Sequence, residues 1–295
     1  MRKSLLLTVA PILGSVALVG LTAETALAAA SNLETFESYS DGNIDGQGGW
    51  TNTGGYDANV KTLGDGNKVL QISNAKTSGS FGDMPIAPFL AESAGQSSTG
   101  APNNHFVTSF DFQSAVSFAQ PGLYVDLSPD NGTGGRMGYI GISDSGAGLD
   151  VLAYGYDSGI NDFPLTSLTS VSYGDWHTIS IDMTFLDGPD NDVVKYFVDG
   201  VLLATLSSWE EYYADYEANP NSVDVRTDLF RINGGPFGAQ TQLAGYGLLI
   251  DNLSYSASAS TVPLPGAALL FASGLLGLGF SSRKTGRTKP TSTAA

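Results

Sequence analysis

Apolar and polar residues alternate with period two in several stretches of this chain, a pattern that predicts strands rather than helices. In HFVTSFDFQ, Phe106, Phe110 and Phe112 share one face, and Ser109, Asp111 and Gln113 share the other. In GLYVDL, Leu123, Val125 and Leu127 oppose Tyr124 and Asp126. WHTISIDMTF sets Ile179, Ile181, Met183 and Phe185 against Thr178, Ser180, Asp182 and Thr184. VVKYFVDGVLLATL reads as two strands joined by Asp199-Gly200, a strong two-residue hairpin signal. YGLLIDNLSY predicts a last strand, in which Asp251 keeps the parity of Leu249 and Leu253 and points inward. Residues 83–104 lack periodicity, are rich in Pro, Ala, Ser and Gly, and read as a long loop. One segment breaks the pattern: SSWEEYYADYEANP predicts a short helix, opened by a capping box of Ser208 and Glu211 and stopped by Pro220. Together these segments predict an all-β fold, an antiparallel sandwich whose two sheets bury one face each against the other, with a short helical excursion.

Two apolar stretches without alternation lie at the ends. Residues 1–30 carry Arg2 and Lys3, an apolar run from Leu5, and the small residues Ala26 to Ala30, which is the pattern of a secretory signal peptide cut after Ala28 or Ala30. At the other end, a small polar linker (258–261) leads into VPLPGAALLFASGLLGLGFSSRK (262–284), and a basic tail follows (285–295). The uncharged run from Gly266 to Phe280 would reach roughly 22 Å as a helix, short of the ~30 Å hydrocarbon core; Val262 to Ser282 is long enough to span. The basic cluster behind it predicts a cytoplasmic C-terminus and an exported core. Two readings are open for this segment, a permanent tail anchor and an address that is later cut off.

Charge sharpens the picture of the region between. Residues 31–261 carry seven basic residues and 28 of the chain's 29 acidic ones, a net −21 against −16 for the whole chain. Such a surface repels phosphate backbones, so nucleic acid is not an expected partner. The chain has no cysteine, which excludes disulfides and thiolate-bound metals.

Two resemblances follow from quoted residues. TFESYSDGNIDGQGGW (35–50), VLQIS, WHTISIDM, YFVDGVLL and GLLIDNLSY occur in this order and together resemble the concanavalin A-like, laminin-G-like modules of secreted bacterial proteins. That resemblance implies a jelly roll over 31–257, a fold shared by lectins, glucanases and structural modules. Val262, Pro263, Leu264 and Pro265, then an apolar helix, then Arg283 and Lys284, resemble the PEP-CTERM sorting signal of Gram-negative bacteria in its Val-Pro-Leu-Pro variant, with Leu264 where Glu is usual. This second resemblance implies transient insertion in the inner membrane, an exosortase-type membrane protease as partner, and delivery to the cell surface or extracellular matrix.

Candidate chemistry is sparse. Glycoside hydrolysis needs two carboxylates about 5–10 Å apart, and the hydrolases of the resembled fold carry an E-x-D-x-x-E or E-x-D-x-E strand that is missing here. His177 shares the apolar face of Ile179 and Ile181 and reads as a core histidine, while Trp50 and Trp176 read as structural. Oxygen ligands are abundant, so a structural calcium ion is the metal expected, held by Glu37, Asp41 and Asp251 where first and last strands meet; hydrogen bonding of a buried Asp251 is the open alternative. A second acidic group, Asp187, Asp190 and Asp192, reads as a polar turn. Tyr124, Tyr154, Tyr156, Trp209, Tyr212, Tyr213 and Tyr216 are the aromatics available to stack on sugar rings, with Trp209, Tyr212 and Tyr213 in the densest stretch, or to pack against the sandwich. The expectation is a non-enzymatic module that binds extracellular polysaccharide or builds matrix, with no catalytic residue; a glycan-active hydrolase or lyase and a tail-anchored structural protein are the alternatives.

Overall fold

The computed structural model describes residues 30–76, 84–95, 103–130, 135–186, 190–216, 229–233 and 238–259. The signal segment and the C-terminal segment with its sorting motif lie outside the described residues. Among the described residues, no helix is long and apolar enough to cross a membrane.

Sixteen strands are described, in two sheets. The nine-stranded sheet runs β14 (Val201–Leu206), β13 (Val193–Val198), β12 (His177–Thr184), β7 (His105–Ser114), β16 (Leu248–Ser258), β5 (Lys68–Ser73), β4 (Asp57–Thr62) and β2 (Gly42–Asn43), and β1 (Ala30–Glu34) pairs with the second half of β16. The seven-stranded sheet runs β11 (Leu165–Val171), β10 (Leu149–Tyr154), β9 (Tyr139–Asp144), β8 (Tyr124–Asp130), β15 (Leu229–Asn233), β6 (Met84–Ile86) and β3 (Thr51–Thr53). All pairings within the two sheets are antiparallel. Strand order departs from sequence order in both, as in a jelly roll, and the sandwich expected from the alternation is the architecture found.

The core lies between the sheets. Phe106, Phe110 and Phe112 of β7 and Ile179, Ile181 and Met183 of β12 meet Val125 and Leu127 of β8 and Ile140 and Ile142 of β9 in one buried cluster. Phe110 reaches across to Phe230 of β15, ring centroids 5.4 Å apart. Burying side chains of this size stabilises by roughly 1.5–3 kcal/mol each, which lets a chain without disulfides fold. Asp199 and Gly200 both take positive φ and close the β13–β14 hairpin as the sequence predicts. The predicted helix is α1 (Glu210–Tyr216). Ser208 Oγ accepts from the Glu210 N–H at 3.1 Å, while Glu211 accepts the backbone N–H of Asp190.

Several expectations are corrected. β6 lies inside the tract read as loop. Trp50 is fully buried, but Trp176 is exposed. His177 stands at the rim of the core, its Nδ1 2.9 Å from Asp199 Oδ2 and its ring against Phe112. Asp251 points outward. β16 pairs Asp251 with Asp111 and then Ser254 with Ser109, so it carries one extra residue at a bulge where Asn252 takes φ +49°. The bulge reverses parity: Leu248 and Ile250 face the core before it, and Leu253 and Tyr255 after it.

Candidate functional site

The expected calcium ligands are only partly brought together. Asp251 accepts from Asn67 Nδ2 at 3.0 Å and from the Asn252 N–H at 2.7 Å. Its carboxyl is held above the usual range by burial, and then by the nearby charges of Asp111 and Glu37. Glu37 accepts the Lys68 N–H at 2.9 Å, whereas Asp41 turns to the Thr62 hydroxyl at 2.6 Å. Among the described residues, no three acidic or histidine side chains are placed to hold one metal ion. Asp187 lies outside the described residues; Asp192 accepts from Ser208 and from the Leu186 N–H.

The aromatic candidates gather elsewhere. Trp209 and Tyr213 are buried and Tyr212 is half-buried. Trp209 packs edge-on against Tyr139 at 4.8 Å, and its Nε1 donates to the Tyr154 carbonyl at 3.3 Å. The Tyr213 hydroxyl accepts the Arg136 N–H at 2.7 Å. These rings thus pack against the outer face of the seven-stranded sheet.

That face is where polar side chains concentrate. Period two sends Val125 and Leu127 of β8 into the core and Tyr124, Asp126, Ser128 and Asp130 outward. The register sets Arg231 of β15 beside Ser128, Gly141 of β9 beside Asp126, and Tyr139 beside Tyr154 of β10. Outward does not mean wet: Asp126, Ser128, Asp130, Arg136, Tyr139 and Arg231 are all buried. Gly141 makes room for the group, because a Cβ there would stand 2.6 Å from the Tyr124 hydroxyl and 3.2 Å from Asp126 Oδ1.

The charges on this face are coupled. Arg231 Nη1 pairs with Asp130 Oδ2 at 3.1 Å, and Asp130 is wholly buried. Burial lowers the Arg231 pKa from its usual value; Asp130 opposes that shift, and the neighbouring Arg136 charge adds to it. Burial pushes the Asp126 carboxyl up to about 7, against the opposing pull of a Tyr124 hydrogen bond and the Arg136 charge. Tyr124 and Tyr139 are pushed well above the usual phenol range by burial, so both are neutral donors at neutral pH. The buried polar atoms on this face without a hydrogen-bond partner among the described residues include Asp126 Oδ1, Tyr139 Oη and Arg231 Nε. Unsatisfied groups of this kind cost stability and concentrate where a ligand completes the bonding.

A carboxyl titrating near neutrality beside two guanidinium groups and neutral phenols can bind an anionic group and move a proton. Sequence reading placed Tyr124 and Asp126 on one face, counted Tyr124 among the aromatics able to stack on sugar, gave Asp126 no role, and passed over Arg136, Tyr139 and Arg231. No motif marks them, since they come from three strands and one loop.

No family model matches the chain, and no curated protein matches it in sequence. Solved structures with the same kind of sandwich do match. Alginate lyase A1-II′, of polysaccharide lyase family 7, is 12% identical over 68% of this chain and 84% of its own, with a TM-score of 0.44. The globular domain of T. cruzi calreticulin is 13% identical over 82% and 95%, with a TM-score of 0.42. An alginate lyase from Pseudomonas aeruginosa is 12% identical over 67% and 85%, with a TM-score of 0.39. These likenesses concern the fold alone. Alginate lyases recur among these matches, which runs against the expectation of a non-enzyme.

Proposed function

We propose that this protein is an exported, glycan-active enzyme that cleaves an acidic polysaccharide by elimination on the outer face of its seven-stranded sheet. The observation that carries the reading is the convergence of Asp126 Oδ1, Tyr139 Oη and Arg231 Nε, all buried and without partners among the described residues. Arg231 and Arg136 supply the positive charge that a sugar carboxylate needs before the proton on its α-carbon can be removed. Asp126, with a pKa of about 7, accepts that proton. The electron pair left behind forms the new carbon–carbon double bond, and the glycosidic oxygen departs with a proton from the Tyr139 hydroxyl. Proton exchange between Asp126 and Tyr139, through solvent, resets the site.

Hydrolysis fits this face less well. Asp126 and Asp130 stand four residues apart on one strand, about 13 Å at strand rise. Either stereochemical course of hydrolysis wants its two carboxyl groups within ~9.5 Å. Asp130 is moreover tied to Arg231.

Delivery belongs to the same proposal. The signal segment exports the domain, and Val262-Pro263-Leu264-Pro265 with Arg283 and Lys284 directs it to an exosortase-type protease and on to the cell surface or matrix.

The test is incubation of the processed protein with alginate, pectate and hyaluronate, read by the ultraviolet absorbance of unsaturated uronyl ends. Such ends should form on at least one substrate and be abolished in Asp126→Asn and Tyr139→Phe. Failure to form them on any of the three, or undiminished activity in both variants, sinks the reading.

A further inference from the structure

A cavity of about 290 Å³ lies between β1 and the segment that follows β6. Its walls include Asn32 and Glu34 of β1, Gly48 of the turn before β3, and Pro88 and Phe89. None of these residues belongs to the sheet face described above.

The polar wall is built from locked groups. Glu34 is buried, its Oε1 accepting from Asn32 Nδ2 at 2.7 Å and its Oε2 from the Tyr39 hydroxyl. Asn32 Nδ2 also meets the Tyr255 hydroxyl at 2.7 Å, and that hydroxyl donates to the Pro88 carbonyl. The network thus ties the two sides of the cavity together. It consumes donors and leaves acceptors: a carboxylate offers about four acceptor positions, of which two are used here, and the Asn32 carbonyl oxygen is a further one. Among the described residues no cationic side chain pairs with Glu34; the nearby Lys68 ammonium goes instead to the carbonyls of Tyr39 and Glu37.

The apolar wall is Phe89, 63% exposed. Gly48 keeps the opposite side small. It takes φ +57°, and a Cβ there would fall 1.8 Å from the Tyr39 hydroxyl that holds Glu34.

We infer that this cavity is a binding site for a neutral sugar ring, separate from the face assigned to catalysis. A pyranose has one apolar face, which suits an exposed phenyl ring, and an edge of hydroxyl donors, which suits acceptors fixed in place. The unpaired charge of Glu34 sets the class: it accepts from hydroxyls and repels a uronate carboxylate. The site selects neutral rings, where the sheet face with its two guanidinium groups selects anionic ones, and it does not depend on the catalytic reading.

Backbone-amide NMR of the processed protein tests this, with cellohexaose, mannohexaose and xylohexaose as probes and hexagalacturonate as the anionic control. At least one neutral hexaose should shift the amides of residues 31–34, 48 and 89–91. Phe89→Ala, an exposed change that leaves the fold intact, should weaken that binding about tenfold or more, and Glu34→Gln should admit hexagalacturonate. The inference is overturned if these amides stay still with all three neutral probes, if Phe89→Ala binds as tightly as the parent, or if hexagalacturonate shifts them in the parent protein. Loss of lyase activity with this binding retained would count against the sheet-face reading alone.

Discussion

Asp126→Asn is the substitution that weighs the buried sheet face most directly. The carboxyl moves from an ordinary value of 3.8 to about 7 on folding. That is about three units, or roughly 4 kcal/mol between the two protonation states. The sign follows from proton counting. Between the two values the native state keeps a proton that the unfolded chain has released, so stability falls as pH rises. The contribution is whole below about pH 4 and is lost as pH passes through about 7. Asparagine keeps the shape and cannot ionise. Below about pH 4 the two proteins should therefore differ little, and above about pH 8 the variant should be more stable by up to roughly 4 kcal/mol. Asp192 and Asp251, also raised by burial, and Asp199, lowered by His177 against the effect of its burial, shift stability with pH in both proteins and cancel in the difference. The assay is urea unfolding at intervals across this range, reading the midpoint of each protein. A difference that stays flat with pH would refute the burial of an ionisable carboxyl here.

Three further expectations can be checked alongside it. Arg231→Met takes the paired guanidinium away from the wholly buried Asp130 carboxylate and should cost about 3–5 kcal/mol by chemical unfolding, much of it recovered when Asp130→Asn is added. Gly247→Ala should cost more than about 2 kcal/mol, because the new Cβ would stand 2.1 Å from the Ile72 carbonyl at φ +88°; an unchanged unfolding midpoint would contradict the placement of that turn. Intact mass of the protein from its host should show a chain that starts after Ala28 or Ala30 and ends near Pro265; a mass that runs to Ala295 would instead leave the tail as an anchor.

The sequence reads clearly where a strand has one dry face and one wetter one. β7 and β12 do, and the apolar residues the alternation picked out on them are buried. The β13–β14 hairpin is legible for a different reason, since Asp199-Gly200 supplies the positive φ angles its turn requires. β6 is hidden because three residues are too few to show a period, and all three are buried. The inward reading of Asp251 failed at a single inserted residue. A bulge leaves the composition of a strand untouched and moves every later side chain to the other face.

The sheet face was hidden more deeply. Tyr124, Asp126, Ser128 and Asp130 look like the solvent side of an alternating strand, and parity does place them opposite the core. Yet every residue of β8 is buried. The packing beside the polar row, Trp209 against Tyr139 and the Tyr213 hydroxyl on the Arg136 N–H, comes from far along the chain, and no local pattern in GLYVDL records it. Searching by residue type therefore led to carboxylates near the first and last strands, Glu37, Asp41 and Asp251, while the carboxylate pushed up to about 7 sits between a valine and a leucine. Were that face open to water, Asp126 would titrate as an ordinary aspartate. The rise to about 7 is caused by tertiary cover, which is why it marks a site that only the folded chain contains.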